Sequence, residues 1–531
     1  FDLNQALTEL RDLDEDVRLG PSTGSIVDAA VLKGIPYRRL TEGSMVQFGW
    51  GSKQRRIQAA ETDTTSAIAE SIAQDKDLTK SLLLAAGVPV PLGRPAKDLE
   101  DAWQIAQSIG LPVVVKPQDG NQGKGVTVNI VERELFNQAY KTAARYGEVL
   151  VEKFLPGSDY RLLVVGNKLV AAARREPPLV VGDGTHTVKE LVDKVNADPR
   201  RGDGHSTSLT KIKFDDIAIG RLKLQDLEPN SVPEKGRRVI LRNNANLSTG
   251  GTATDVTDDV HAEVAARVVA AAQMVGVDIC GVDVVCESVL KPLEEQNGGV
   301  VEVNAAPGLR MHISPSFGKG RNVGKAVIDH MFPNGDNGRI PIIAVTGTNG
   351  KGSTTQIITK LLMAHGLQVG TYTSPHLETL TERITRDGEQ IDQQEFADCV
   401  AAIADIEVLA GVRPSYFDIM TAAAFRYFAD SAVDVAVIEV GMLGRWDATN
   451  VVDADVSVIM PIGLDHTEYL GETLSEIAQT KAGIIKEGGF VVLAQQEPEA
   501  AKELIRKAAE VGADVVREGV EYSVVSRAVA V

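Results

Sequence analysis

The chain has 531 residues, of which 43% are hydrophobic and 24% charged, and its formal net charge is −18. That length predicts roughly two to four domains, each able to bury a core. The acidic balance excludes nonspecific binding to nucleic acid or to an anionic membrane surface, so any anionic ligand must be held by cations gathered locally.

The sequence opens at Phe1 rather than Met, and residues 1–60 carry helix-like and turn-like pieces that read as the end of an N-terminal domain. Residues 61–331 form a second block. A helical stretch begins near Thr65 and leads to Lys76 and Lys80. Short apolar runs follow at 111–117, 149–152 and 161–165, each bounded by Gly, Pro or Asp as strands are. The run Val113-Val-Val-Lys116 is a buried strand that ends in a cation, and a buried ammonium needs an anionic partner. Just beyond it, Gly120, Gly123 and Gly125 make a glycine-rich loop whose free N–H groups suit phosphates. Val264, Val268, Ala272 and Val275 lie at helical spacing. Two further buried strands, near 279–285 and 299–303, carry Asp283, Glu302 and Asn304. Glu302 and Asn304 share one strand face by the period of two, and with Asp283 they offer oxygens to magnesium ions bridging the phosphates of ATP.

In order and spacing, Lys80, Lys116, the 120–125 loop, Val149-Leu-Val-Glu152, Asp283 and Glu302-Val-Asn304 resemble the ATP-grasp family. The resemblance implies that Lys80 and Lys116 contact phosphates, that the region of Glu152 holds adenosine and that the later acids bind Mg²⁺. Val46-Gln-Phe-Gly-Trp-Gly, Gly157-Ser-Asp-Tyr-Arg161, Asn246-Leu-Ser-Thr-Gly-Gly and Ala306-Pro-Gly-Leu-Arg310 are similar to cyanophycin synthetases over about residues 1–340. Such enzymes add aspartate to a polyaspartate backbone through an acyl phosphate. Arg161, Arg174, Arg175 and Arg310 are candidate clamps for acidic substrate and acyl phosphate, because a guanidinium fork matches both.

Residues 332–339, polar and rich in turn formers, read as a linker. From 340 to 531 apolar strands at 340–345, 433–440 and 456–462 alternate with helical stretches, which predicts a doubly wound, mainly parallel sheet. The strand ending at Thr346 runs into Gly347-Thr348-Asn349-Gly350-Lys351-Gly352-Ser353-Thr354, a phosphate-binding loop and helix start, where Lys351 adds charge and Ser353 or Thr354 can ligate Mg²⁺. Glu439 closes one later strand, and His466 follows another, both where such sheets bind ligands. Each suits a metal ion, and the imidazole is also a candidate catalytic group.

This half resembles Mur-type ligases, in which a lysine at the position of Lys481 is carbamylated to give a metal-binding carboxylate. Thr373-Ser-Pro-His376, Arg383 and Arg445-Trp-Asp-Ala-Thr-Asn450 resemble folylpolyglutamate/dihydrofolate synthase, while Met442-Leu443-Gly444 and Thr480 depart from that family's pattern. The expected whole is a multidomain α/β chain: an ATP-grasp fold, then a Mur-type P-loop domain, with the C-terminal Mur domain absent. Its expected chemistry is ATP- and Mg²⁺-dependent amide ligation, adding aspartate at the first site and arginine at the second to an acidic peptide polymer. Folate-type activity at the second site and a truncated, non-catalytic ATP-binding scaffold are the alternatives. Cys280, Cys286 and Cys399 lack metal-site or CxxC spacing, and no apolar run reaches the roughly 18 residues of a membrane helix. A cytoplasmic homo-oligomer is expected.

Overall fold

The computed structural model describes residues 18–118, 125–202, 209–242, 245–523 and 525. The chain divides into two compact units, one of residues 1–47 and 55–335, the other of residues 48–54 and 336–531.

In the first unit, the helix Pro21–Leu32 packs against the helix Val323–Met331. Two antiparallel sheets carry the strand residues of the candidate site. The smaller runs in the order Gly93–Ala96, Val149–Lys153, Val113–Pro117, Thr127–Ile130. Its alternation separates two faces. Val113, Val115, Val149 and Val151 pack with Ala102, Ile105, Phe136 and Ala139 from the helices Leu99–Ile109 and Arg133–Ala143. Lys116, Leu150 and Glu152 emerge on the other face.

The larger sheet has the order Thr252–Asp255, Lys168–Glu176, Ser158–Val165, Ile279–Cys286, Gly299–Ala305. Tyr160, Leu162, Val164, Val282, Val284 and Val303 bury one face under the helix Ala262–Val275, whose Val264, Val268, Ala272 and Val275 form the expected stripe. The opposite face is charged. Register sets Asp283 opposite both Arg161 and Glu302, Gly281 opposite Asn304, and Arg175 opposite Asp159. Polar side chains thus line up across neighbouring strands at one level, which a single apolar-in, polar-out sheet provides.

The second unit is built on an eight-stranded sheet. Six strands, Val369–Tyr372, Val435–Glu439, Ile342–Thr346, Val456–Ile459, Phe490–Leu493 and Asp514–Arg517, are parallel, and Ile384–Arg386 and Glu389–Gln390 extend one edge antiparallel. Helices cover both faces, and separate clusters form around Ile438, Tyr372 and Phe428 and around Ile459, Ile477 and Leu504. Among the described residues no helix is long and apolar enough to cross a membrane. All three cysteines are buried free thiols, and burial pushes Cys280 up to about 12 and Cys286 up to about 11.

Candidate active sites

In the first unit the helix Lys76–Ala85, capped by the Asp75 carboxylate, presents Lys76 and Lys80 on one face, four residues apart. Lys80 reaches one oxygen of Glu152, and Lys116, from the adjoining strand, lies 2.6 Å from the other. Glu152 is only 3% exposed. Burial lowers the ammonium of Lys80 to about 8 and that of Lys116 to about 7, with the charges of Lys80 and Lys76 adding to the effect at Lys116. Two cations held in a dry site around a single carboxylate fit a ligand that brings more negative charge.

Beside them is a cavity of about 220 Å³ lined by Lys80, Glu152, Leu84, Val90, Leu92 and Leu150, with an apolar wall that suits a planar base. Gly125 has φ 73°, and a Cβ there would lie 2.8 Å from the Tyr146 ring, so only glycine fits. Gly120 and Gly123 lie outside the described residues.

The acids divide by partner. Asp283 accepts from both Nε and Nη2 of Arg161, and Arg175 Nη2 lies 3.2 Å from it, so its charge is already compensated inside the protein. Glu302 lies 3.4 Å from Lys76, and Asn304 donates to Gly281 O at 3.3 Å. Both line a cavity of about 460 Å³ with Lys76, Gln118, Glu61 and Glu70. Among the described residues no three His, Cys, Asp or Glu side chains form a metal-binding group. The free oxygens of Glu302 and Asn304 fit magnesium as it is held beside a nucleotide, by one or two protein oxygens with phosphates completing the shell. Arg310 is 9% exposed, donates to Thr210 Oγ1 at 2.9 Å, and is held below its ordinary range by burial. The sequence names Lys76 only as part of the helix leading to Lys80, and it assigns no role to Gln118, Glu61 or Glu70. Lys76, one helical turn before Lys80, was the available signal.

In the second unit the strand Ile342–Thr346 runs into the loop and the helix Lys351–Ala364. Gly347, at φ 144°, passes so close to Met460 that a Cβ would meet it at 2.6 Å, and Gly350 at φ 80° caps the helix. Thr348 Oγ1 accepts from Gly463 N at 2.9 Å and Thr348 N donates to Pro461 O at 3.0 Å, tying the loop to the segment after the strand Val456–Ile459. Asn349 and Ser353 are exposed, and Thr354 Oγ1 lies 3.4 Å from Met460 Sδ.

Lys351 Nζ lies 3.4 Å from Gly441 O. Glu439, buried at its strand end, accepts from Ser374 N at 3.1 Å, and burial raises its carboxyl despite that bond and the nearby Lys351. A Cβ on Gly352 would sit 3.4 Å from Glu439 Oε2, which places the carboxylate at the helix start. Lys481, 3% exposed, donates to Met442 O at 3.3 Å and is lowered by burial to about 8, the neighbouring Lys351 adding to the shift. A lysine of that kind is partly neutral near pH 8, the form that reacts with CO₂. His466 adopts the left-handed conformation at φ 49° and is half exposed, and among the described residues Asp465, at 3.6 Å, is the carboxylate it pairs with.

Asp447 organises the loop that departs from the family pattern. Its carboxylate accepts from the N–H groups of Gly441, Leu443 and Thr449 and from Thr449 Oγ1. Lys351, Arg383, Phe417, Leu443 and Trp446 line a cavity of about 520 Å³. Arg383 is fixed there by its bond to His376 Nδ1 at 3.0 Å and by stacking 5.5 Å over Tyr416.

Comparison with known proteins accords with both halves. The family model for the Mur ligase middle domain matches residues 345–527, and that for the carbamoyl-phosphate synthase L chain ATP-binding domain matches 75–161. Cyanophycin synthetase from Synechocystis sp. is 40% identical over 507 residues, covering 94% of this chain and 55% of the relative. The glutathione biosynthesis bifunctional protein GshAB of Clostridium perfringens is 33% identical over 324 residues, 60% of this chain and 41% of that one. Folylpolyglutamate synthase of Mycobacterium tuberculosis, solved with ADP and AMPPCP, is 40% identical over a match covering 36% of this chain and 46% of that one, with a TM-score of 0.34. The chain spans about half the length of the curated cyanophycin synthetases it matches. Along 94% of its length the chain is similar to the cyanophycin synthetases, and it joins an ATP-grasp-like ATP-binding domain to a Mur ligase middle domain.

Proposed function

We propose that this chain is an ATP-dependent carboxylate–amine ligase of the cyanophycin synthetase type, acting in the cytoplasm. The first unit adds L-aspartate to a polyaspartate backbone, and the second attaches L-arginine to its side chains. The observation that carries this reading is the placement of a lysine beside a buried carboxylate in each unit, Lys116 with Glu152 and Lys351 near Glu439.

In each unit the chemistry follows from charge. Lys80 and Lys116, or Lys351 with the loop N–H groups, bind the phosphates of ATP. A substrate carboxylate attacks the γ-phosphorus, ADP leaves, and an acyl phosphate forms. The incoming amine then displaces phosphate, giving the amide and releasing a proton. Arg310, a buried guanidinium, suits an anionic substrate, while Arg161 holds the Asp283 carboxylate beside it in the register. Bound magnesium, held by Glu302 and Asn304 in one unit and by Glu439, Ser353, His466 and a carbamylated Lys481 in the other, would neutralise phosphate charge. Positioning and charge stabilisation supply the acceleration.

A second reading gives the Mur-type unit a folate and glutamate as substrates. The cavity at Lys351 favours it, because Phe417, Trp446 and Leu443 make walls suited to an aromatic body. ADP release decides between the two. Dependence on aspartate, arginine and an acidic primer supports the first reading, and dependence on glutamate with a folate supports the second. Release that stays at background with either set contradicts both.

A further inference from the structure

Trp446 is 74% exposed and lines two cavities of the second unit. One is the cavity at Lys351. The other, of about 530 Å³, is lined by Arg445, Asn450, Gln479, Arg506 and Lys507, with Glu510 as its only carboxylate. No reaction step described above uses it.

The cationic surplus is local. Arg506 and Lys507 share Glu510, and Arg506 also pairs with Glu503 at 2.9 Å. Arg445 has no carboxylate partner among the described residues, and its guanidinium stacks 5.1 Å over the Trp446 ring. In a chain of formal charge −18, a pocket with three cations to one lining carboxylate stands out.

Its floor is rigid. Asn450 Nδ2 donates to Arg445 O at 3.1 Å and to Gly483 O at 3.2 Å, joining two loops. A Cβ on Gly483 would meet the Arg445 Cβ at 2.3 Å, so the loops touch through glycine. A floor fixed in this way lowers the ordering cost of binding an anion there.

We infer that this pocket is a second anion subsite, holding the carboxylates of an acidic peptide chain that neighbour the one presented at Lys351. This rests on the ligase reading of the second unit and extends it, with Trp446 as the ridge between the reacting carboxylate and the rest of the chain. Guanidinium groups match carboxylates in pairs, and a chain with regularly spaced carboxylates engages both cavities at once. The shared chemistry is an oligo-carboxylate, whether an α-linked aspartate backbone or a γ-linked glutamate tail.

The test uses the full chain and two fluorescein-labelled probes, an α-linked oligoaspartate and a γ-linked oligoglutamate. The Arg506→Gln/Lys507→Gln protein and a separate Arg445→Gln protein keep the exposed surface polar. Unchanged ATP affinity confirms their folding. The expected result is that at least one probe binds about tenfold more weakly to both variants, with a flatter salt dependence, and the probe with the larger loss identifies the chain. Equal affinity of both probes for wild type and variants would overturn the inference. Variant-sensitive binding without any ATP-driven carboxylate activation keeps the subsite and removes the ligase reading. Activation whose preference for longer chains is the same in wild type and variants keeps the ligase reading and removes the subsite.

Discussion

Lys116 and Glu152 stand on adjacent antiparallel strands with their charged ends 2.6 Å apart, and Lys80 reaches the same carboxylate from a helix. The lysine pair is therefore held in a buried site before any nucleotide arrives. Its energetics are open to measurement.

Burial holds Lys116 at about 7 and Lys80 at about 8, against an ordinary value of 10.5. Between pH 7 and about 10 the unfolded chain binds protons at these lysines that the folded chain does not. Folding stability therefore rises with pH across that window from this source, and levels off below it. Lys116→Met should remove part of that slope in denaturant titrations at pH 7 to 9. Triphosphate binding should also draw a proton onto Lys116. Titration calorimetry of the Lys351→Ala protein at pH 8, in buffers of different ionisation enthalpy, should show proton uptake and an affinity for ATP that falls as pH rises.

Asp283 and Glu302 face each other across two strands yet should respond differently. Asp283→Asn leaves Arg161 and Arg175 without their buried counter-charge, and we expect a loss of roughly 3–5 kcal/mol and a clear fall in Tm. Glu302→Gln, partly exposed beside Lys76, should leave Tm nearly unchanged and weaken the magnesium dependence of turnover by the first unit. Equal Tm losses would contradict this division.

Most of this layout was legible in the sequence because strands with alternating or continuous apolar runs fix which side chains share a face. Glu302 and Asn304 fall together for that reason, and so does the parallel sheet after residue 340. The partner of Asp283 was not legible. Strand order puts Ser158–Val165 beside Ile279–Cys286, and only that pairing brings Arg161 against it. The role of Asp447 escaped for a similar reason, since its acceptors' partners depend on loop geometry rather than on periodicity. The first sixty residues also gave little signal, because their strands are short and the Pro21–Leu32 helix finds its partner near residue 330.

Gly347→Ala should disable nucleotide binding by the second unit alone. The new Cβ meets Met460 at 2.6 Å, and φ 144° is strained for alanine, a cost of about 1–3 kcal/mol that reopens the loop. Nucleotide binding by a Lys116→Ala/Gly347→Ala protein should fall to background, while Lys116→Ala alone retains one site.

Lys481 offers a separate check. Lys481→Ala should stop turnover by the second unit, and millimolar acetate or formate should restore part of it if a carbamate carboxylate is what the site requires. Lys481→Arg keeps the charge, cannot be carbamylated, and should stay inactive.

The most direct measurement of the central claim is ADP release by Lys116→Ala, Lys351→Ala and the double variant, each assayed with the substrates of either unit. Lys116→Ala should remove only aspartate-dependent release, Lys351→Ala only the second unit's release, and the double variant both. Loss of both activities from either single change, or full activity in the double variant, would contradict a chain that energises carboxylates at two lysine-centred nucleotide sites.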